Sequence, residues 1–358
     1  MQFRQCASRW NGKMDIVDIS SLISLLKRKG EGRIGVLSQQ SSPVAGMLIR
    51  EFQERVKCLF SAEHGWCGFA APGEKTSSSI HPVWGVMVHS LYGETRRPTD
   101  EMLEGLSTVV IDLQDLGARY YTYLASFKLM IEECSKRSIG VVVLDRPIPF
   151  QGMSDGPMRE EEFSSFVAPI NVPMRHGMTP GECARFIVKT MNLDAELDVI
   201  ASPVKKEDTF SPWVNFMPPS PSIANWDSAA LYPVTVLTEA FRAVDCDRGG
   251  AFSFRIVGAE WLDNESLAES LNEEMNEYGF SLLPYRYKSS FVADHPVMRG
   301  VLIKVNGSRK YLPVKASVLL FSELVRRYPE EMKKDYRPDW VDKLAGTRSL
   351  RKLIENFE

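Results

Sequence analysis

Along roughly the first two hundred residues, apolar positions follow two alternating rhythms. RIGVLS (33–38), VKCLFS (56–61), STVVIDL (107–113) and IGVVVL (139–144) are short, nearly unbroken apolar runs rich in β-branched residues. Such runs predict strands buried on both faces. Between them, SSLISLLKR, VAGMLIREFQERV and TYLASFKLMIEECSKR space their apolar residues three and four apart, which predicts amphipathic helices. TDEMLEGL reads as a short helix capped by Thr99. TPGECARFIVKTMN predicts a longer one, with Thr179 as N-cap, Pro180 at the first helical position and Glu182 closing a capping box. AELDVIASPV adds a last strand. This alternation implies α/β architecture: a Rossmann-like parallel sheet covered by helices, over residues 15–205.

The rhythm breaks near residue 205. KKEDTFSPWVNFMPPSPSIANWD is rich in Pro, Ser and Trp and has no period, so it reads as a junction between domains, placed to line a cleft. Beyond it, strands (AFSFRIVGA, GVLIKVNG) mix with helices (ESLAESLNEEMNEY, VKASVLLFSELVRRY, TRSLRKLIENF). That predicts a smaller α+β domain over residues 206–358, closing the cleft. GEGRIG (30–35) has the spacing of a dinucleotide fingerprint, but it follows a helix and opens a strand. No helix N-terminus would face a pyrophosphate there, so it predicts a helix end and a tight turn.

Composition narrows the class. A chain of 358 residues favours two domains, and 44% hydrophobic with 25% charged residues fits a soluble globular protein. The net charge of −3, with Lys and Arg scattered, argues against nucleic acid as the main ligand. Six cysteines (Cys6, Cys58, Cys67, Cys134, Cys183, Cys246) lack paired spacing and read as reduced thiols. Without CxxC or a His/Cys cluster, neither a metal nor a cofactor is expected. No apolar run reaches the length of a membrane span, and MQFRQCASRWNGKMDIVD lacks the apolar core of a signal peptide. The expected location is the cytoplasm, with Met14 as a second candidate start.

Polar residues collect where the four clearest strands end. The first is followed by Gln39 and Gln40, the second by Glu63 and His64; the third brings Asp112, Gln114 and Asp115, the fourth Asp145 and Arg146. In an open parallel sheet these ends share the edge where ligands bind. Each residue also has a structural reading. Glu63 would be a solvated loop acid, His64 a packing residue, Asp112 and Asp145 acceptors that hold loops, and Arg146 a partner for one of the acids. Tyr120, Tyr121 and Tyr123 read equally as core or as a stacking surface for a sugar ring. LYGETRRPT adds Tyr92 and Glu94, with Arg96 and Arg97 as anion contacts or plain surface. Aromatics, carboxylates and amides in one cleft suit a carbohydrate. Glycoside cleavage needs an acid for the leaving oxygen. It also needs a nucleophile or base, which can be a second carboxylate or the substrate's own 2-acetamido group.

The same residues carry a resemblance. LFSAEHGWCG, PGEKTSSS, VHSLYGETRRPT, VVIDLQDLGARYYTY, VVLDRPIP, RHGMTPGECA and DKLAGT, in that order, resemble the bacterial exo-β-N-acetylmuramidases of the NamZ type. That family was long catalogued as a domain of unknown function. The resemblance covers nearly the whole chain from about residue 15. It implies a Rossmann-like domain and a smaller α+β domain with the site between them. It also implies removal of N-acetylmuramic acid (MurNAc) from the non-reducing end of a small saccharide of the MurNAc-GlcNAc type. Glu63 matches the family's catalytic glutamate. His64, Glu94, Asp112, Asp115, Arg119, Tyr120 and Asp145 match other motif positions. The expected site has Glu63, His64 and Asp115 as catalytic residues. Gln40, Glu94, Asp112, Arg119, Tyr120, Asp145, Arg146 and His176 are the expected substrate contacts. Three stretches depart from the family pattern: Ile148 replaces an asparagine, and SPSIAN (220–225) and DCDRGG (245–250) replace other motifs. The alternative reading is a catalytically inactive or divergent saccharide-binding protein of the same fold.

Overall fold

The structure, a computed structural model, describes residues 17–39, 41–210, 216–307 and 310–355. Met14, Gln40 and residues 211–215 of the junction lie outside the described residues. The N-terminal half runs α1 (Ile19–Arg28), β1 (Arg33–Ser38), α2 (Val44–Phe52), β2 (Val56–Ser61), β3 (Ser79–Ile80), β4 (Met87–Ser90) and α3 (Asp100–Leu103). It continues through β5 (Leu106–Asp112), α4 (Tyr123–Lys136), β6 (Gly140–Leu144), an antiparallel pair β7 (Asp155–Met158) and β8 (Pro173–Arg175), α5 (Pro180–Thr190) and β9 (Leu197–Ile200). Seven strands form one sheet in the order β3-β4-β2-β1-β5-β6-β9, parallel except for β3.

The unbroken apolar runs follow from this position. Alternate side chains of a strand point to opposite faces, so a strand covered on both sides must be apolar at every step. Val36, Val110 and Val142 pack with Leu22 and Leu26 of α1 and Val44 and Leu48 of α2. Leu37, Val109, Val141 and Val143 face the other way, against Leu124 and Phe127 of α4 and Ile187 of α5. The strand order reverses between β1 and β5: the chain leaves β1 toward β2 and leaves β5 toward β6. A crevice opens at the carboxyl ends there.

The remaining chain forms α6 (Trp226–Thr235), β10 (Ile256–Ala259), α7 (Asn264–Tyr278), β11 (Phe280–Lys288), β12 (Val297–Val305), α8 (Pro313–Arg327), α9 (Pro329–Met332), α10 (Pro338–Ala345) and α11 (Ser349–Ile354). The three strands pair antiparallel in the order β10-β12-β11. The α+β character expected for this half is therefore present. Its α6 and β11 were not foreseen, and the strand expected over AFSFRIVGA begins only at Ile256. The two halves share one core cluster. They are also joined by hydrogen bonds. Asp155 accepts from the N–H groups of Val314 and Lys315 at the start of α8 (2.7 and 3.1 Å). Among the described residues no helix is long and apolar enough to cross a membrane.

Candidate active site

The chain leaves β2 through a tight turn. The Gly65 N–H donates to the Ala62 carbonyl at 3.1 Å, with Glu63 and His64 at the two corners. His64 (φ 72°) and Gly65 (φ 70°) are both left-handed. For a histidine that conformation costs about 1–3 kcal/mol. The ring helps to hold it, because Nδ1 lies 2.7 Å from the Ala70 carbonyl. A carbonyl only accepts, so Nδ1 carries the proton. Gly65 has a second reason to be glycine: a Cβ there would stand 3.2 Å from Cγ2 of Thr76.

The turn places Glu63 at the carboxyl edge of the sheet, largely buried. Its Oε1 accepts from the Gly73 N–H at 2.7 Å, and its Oε2 accepts from the Thr122 hydroxyl. The Tyr92 hydroxyl lies close enough to the same carboxylate to be influenced by it. Burial first, and then the nearby charge of Glu63, push that phenol up to about 12. The Tyr123 hydroxyl donates to the Pro219 carbonyl at 2.5 Å, which fixes the junction segment over this edge. The second half contributes an ion pair. Glu239, close enough to add to the upward shift of Tyr92, meets Arg248 at 2.6 Å and accepts from the Trp340 indole N–H at 3.2 Å. Sequence reasoning missed Glu239, Arg248 and Trp340. The one signal was that Arg248 falls within DCDRGG, where the motif pattern is broken.

At the crevice between β1 and β5, Asp112 and Arg146 form a buried pair at 2.6 Å. The Ser42 hydroxyl donates to Asp112, and Arg146 also contacts Sδ of Met217 at 3.1 Å. Asp145 accepts from the Gly181 N–H at 2.8 Å in the first turn of α5, while burial pushes its carboxyl up. Ser38 Oγ, Gln39 Oε1 and Gln114 Oε1 are buried at the same edge without a protein partner among the described residues. Buried polar atoms of this kind are normally satisfied by water or ligand. This edge therefore offers a fixed carboxyl group, an imidazole and buried polar atoms open to a ligand. No group of three His, Cys, Asp or Glu side chains suited to a metal occurs among the described residues.

The N-terminal domain of the exo-β-N-acetylmuramidase NamZ matches residues 34–227, and its C-terminal domain matches residues 230–358. The chain belongs to the NamZ family. It is 33% identical over 306 residues to the peptidoglycan β-N-acetylmuramidase NamZ of Bacillus subtilis (strain 168), covering 84% of this chain and 73% of that one. A crystal structure of a DUF1343 family protein from Bacteroides fragilis superimposes with TM-score 0.82 at 25% identity, covering 94% of this chain and 90% of its own. A second protein of that family from the same organism reaches TM-score 0.71 at 22% identity, covering 95% and 90%, and shows the shared fold.

Within this NamZ-family fold, Glu63, His64, Asp112, Asp145 and Arg146 come together at one sheet edge. Asp112 and Arg146, however, are occupied with each other. Other expected residues lie elsewhere. Arg119 is fully buried and its two terminal nitrogens donate to the carbonyls of Pro157, Val172, Leu344 and Ala345, so it clamps the two halves and does not face the cleft. Tyr120 is core, its ring 5.4 Å from that of Tyr232 in an edge-on contact. His176 is buried. Burial, with Arg175 and Arg119 nearby, holds its pKa well below the usual range, so it stays neutral. Its Nδ1 accepts from the Met178 N–H at 3.1 Å. Asp115 lies beneath the edge. It accepts from the Gly117 N–H at 2.6 Å and borders a cavity of about 10 Å³ walled by Leu113, Tyr123, Phe127 and Cys183. Burial raises its carboxyl to about 6. Glu94 is exposed on the loop after β4.

Proposed function

We propose that this chain is an exo-acting glycosidase releasing N-acetylmuramic acid from the non-reducing end of peptidoglycan-derived saccharides, with Glu63 as the proton donor. The observation that carries this is the setting of Glu63, held at a parallel-sheet edge by donors on both oxygens in a chain of the NamZ family. Protonation of the glycosidic oxygen lets the C1–O bond break with the electron pair leaving on the aglycone, while water forms the new bond to C1, either directly or after a carboxylate or the substrate's own 2-acetamido oxygen. The Gly73 N–H and the Thr122 hydroxyl then receive the charge left on the carboxylate. His64, fixed by its turn with Nδ1–H toward Ala70, keeps Nε2 as the ring atom able to meet substrate.

The test is turnover of β-linked MurNAc-GlcNAc and of a chromogenic β-MurNAc glycoside. Glu63→Gln should lower kcat on the disaccharide by about 10²–10⁴-fold. The loss should be smaller on the glycoside with an acidic leaving group, which needs less protonation. Near-normal turnover of the disaccharide by the variant would remove Glu63 from this role. Saccharide binding by wild type without turnover would favour the divergent binding protein. Activity should also survive EDTA, because no step draws on a metal.

A further inference from the structure

Two adjacent arginines in the loop between β4 and α3 have different fates. Arg97 turns toward α4, where its Nη1 meets Glu132 at 2.9 Å and Glu133 at 2.5 Å. Arg96 is exposed, and its guanidinium lies over two aromatic rings: Tyr92, with 4.7 Å to the centroid, and Phe166, with 4.3 Å. The two rings stand 5.8 Å apart at 56°, so they form an angled seat for the cation. Among the described residues Arg96 makes no ion pair with a carboxylate. In the second half, Arg248 is engaged by Glu239.

The seat has chemical consequences. A guanidinium stacked on aromatic faces keeps its edge free, and that edge is the fork that binds a carboxylate through two parallel N–H bonds. Stacking also restricts the rotamers of a long side chain, so less entropy is lost on binding. The position is set by Tyr92, which carries Arg96 on its ring and whose hydroxyl stands near enough to Glu63 to be influenced by its charge. Arg96 is thus one tyrosine away from the proposed acid. N-acetylmuramic acid differs from N-acetylglucosamine by one group, the 3-O-lactyl ether, which ends in a carboxylate.

We propose that Arg96 receives the lactyl carboxylate of the non-reducing sugar and so makes the site select muramic over glucosamine residues. The proposal rests on the muramidase reading above. Tyr92 and Phe166 act as positioning residues for the guanidinium. Arg96→Lys keeps the charge but loses the planar fork, so it should fall between wild type and Arg96→Gln.

The experiment uses three chromogenic β-glycosides: MurNAc, its lactyl carboxamide, and GlcNAc. Wild type should prefer the acid. Arg96→Gln should lower kcat/KM for the acid by roughly 10- to 100-fold, as expected for a lost hydrogen bond to a charged group. It should leave the carboxamide and GlcNAc substrates within about 2-fold, a pattern that a merely structural role would not give. An unchanged melting temperature would show that the variant folds. Equal losses on acid and carboxamide, or no loss on either, would overturn the proposal and leave the muramidase reading standing. If wild type cleaves none of the three, the muramidase reading fails. Titration with free MurNAc and GlcNAc then decides on Arg96 alone: MurNAc binding weakened by Arg96→Gln supports it, and binding indifferent to the substitution or absent overturns it.

Discussion

At Asp115, burial raises the carboxyl from 3.8 to about 6, against the Gly117 N–H and Arg175, which pull it down. The unfolded chain loses this proton first as pH rises. Between those two values the unfolded state therefore binds fewer protons, and stability falls with rising pH before levelling off above about 6. Asp115→Asn keeps an acceptor for Gly117 and removes the titration. Relative to wild type it should gain up to about 3 kcal/mol between about pH 4 and pH 7. Urea midpoints at the two pH values read this difference, and a gap that does not change with pH would show that Asp115 does not titrate in the fold. The Asp112–Arg146 pair makes a separate prediction. Arg146→Met leaves a buried carboxylate without its cation and should cost about 3–5 kcal/mol. Adding Asp112→Asn to that variant should recover part of the loss, and strict additivity of the two would mean that the pair is not coupled.

At the scale of elements, the capping box of α5 is complete: Thr179 accepts from the Glu182 N–H, and Glu182 reaches back to the Thr179 N–H. Thr179→Ala should cost about 1 kcal/mol in chemical denaturation. Asp155→Ala should cost about 2 kcal/mol or more, because it leaves two donors of α8 without their acceptor. The α5 box was legible because capping is local. So were β1, β2, β5 and β6, whose apolar runs answer to a sheet covered on both faces. Helix α6 was not, for a physical reason: every residue from Trp226 to Thr235 except Asp227 is buried, so it has no polar face to set a period, and it contains Pro233. Strand β11 contains Pro284, which an edge strand tolerates and a pattern reading discounts. The site divides along the same line. Glu63, Asp112 and Asp145 could be placed together because parallel strands end together. The burial of Arg119 and Tyr120, and the Glu239–Arg248 pair beside Tyr92, depend on side chains that only the folded chain brings together.

For the whole molecule, the shared core and the Arg119 clamp mean that neither half holds all of its own partners. Residues 17–227 alone should show no cooperative urea transition, whereas the full chain should show one. A sharp, two-state transition of the fragment would show the halves to be independent. Arg119 also imposes an order in time. The carbonyls of Leu344 and Ala345 that receive its guanidinium lie 225 and 226 residues further along. At a synthesis rate of roughly 5–20 residues per second, the arginine waits on the order of ten to fifty seconds for them. During that interval the half carrying Glu63 is already translated but lacks the groups that close it. Native assembly has to follow release of the last helices from the ribosome. A premature stop upstream of residue 344 would leave one end of the Arg119 guanidinium buried without its acceptor carbonyls, so a truncated chain should be lost to proteolysis faster than the full one in a pulse-chase comparison.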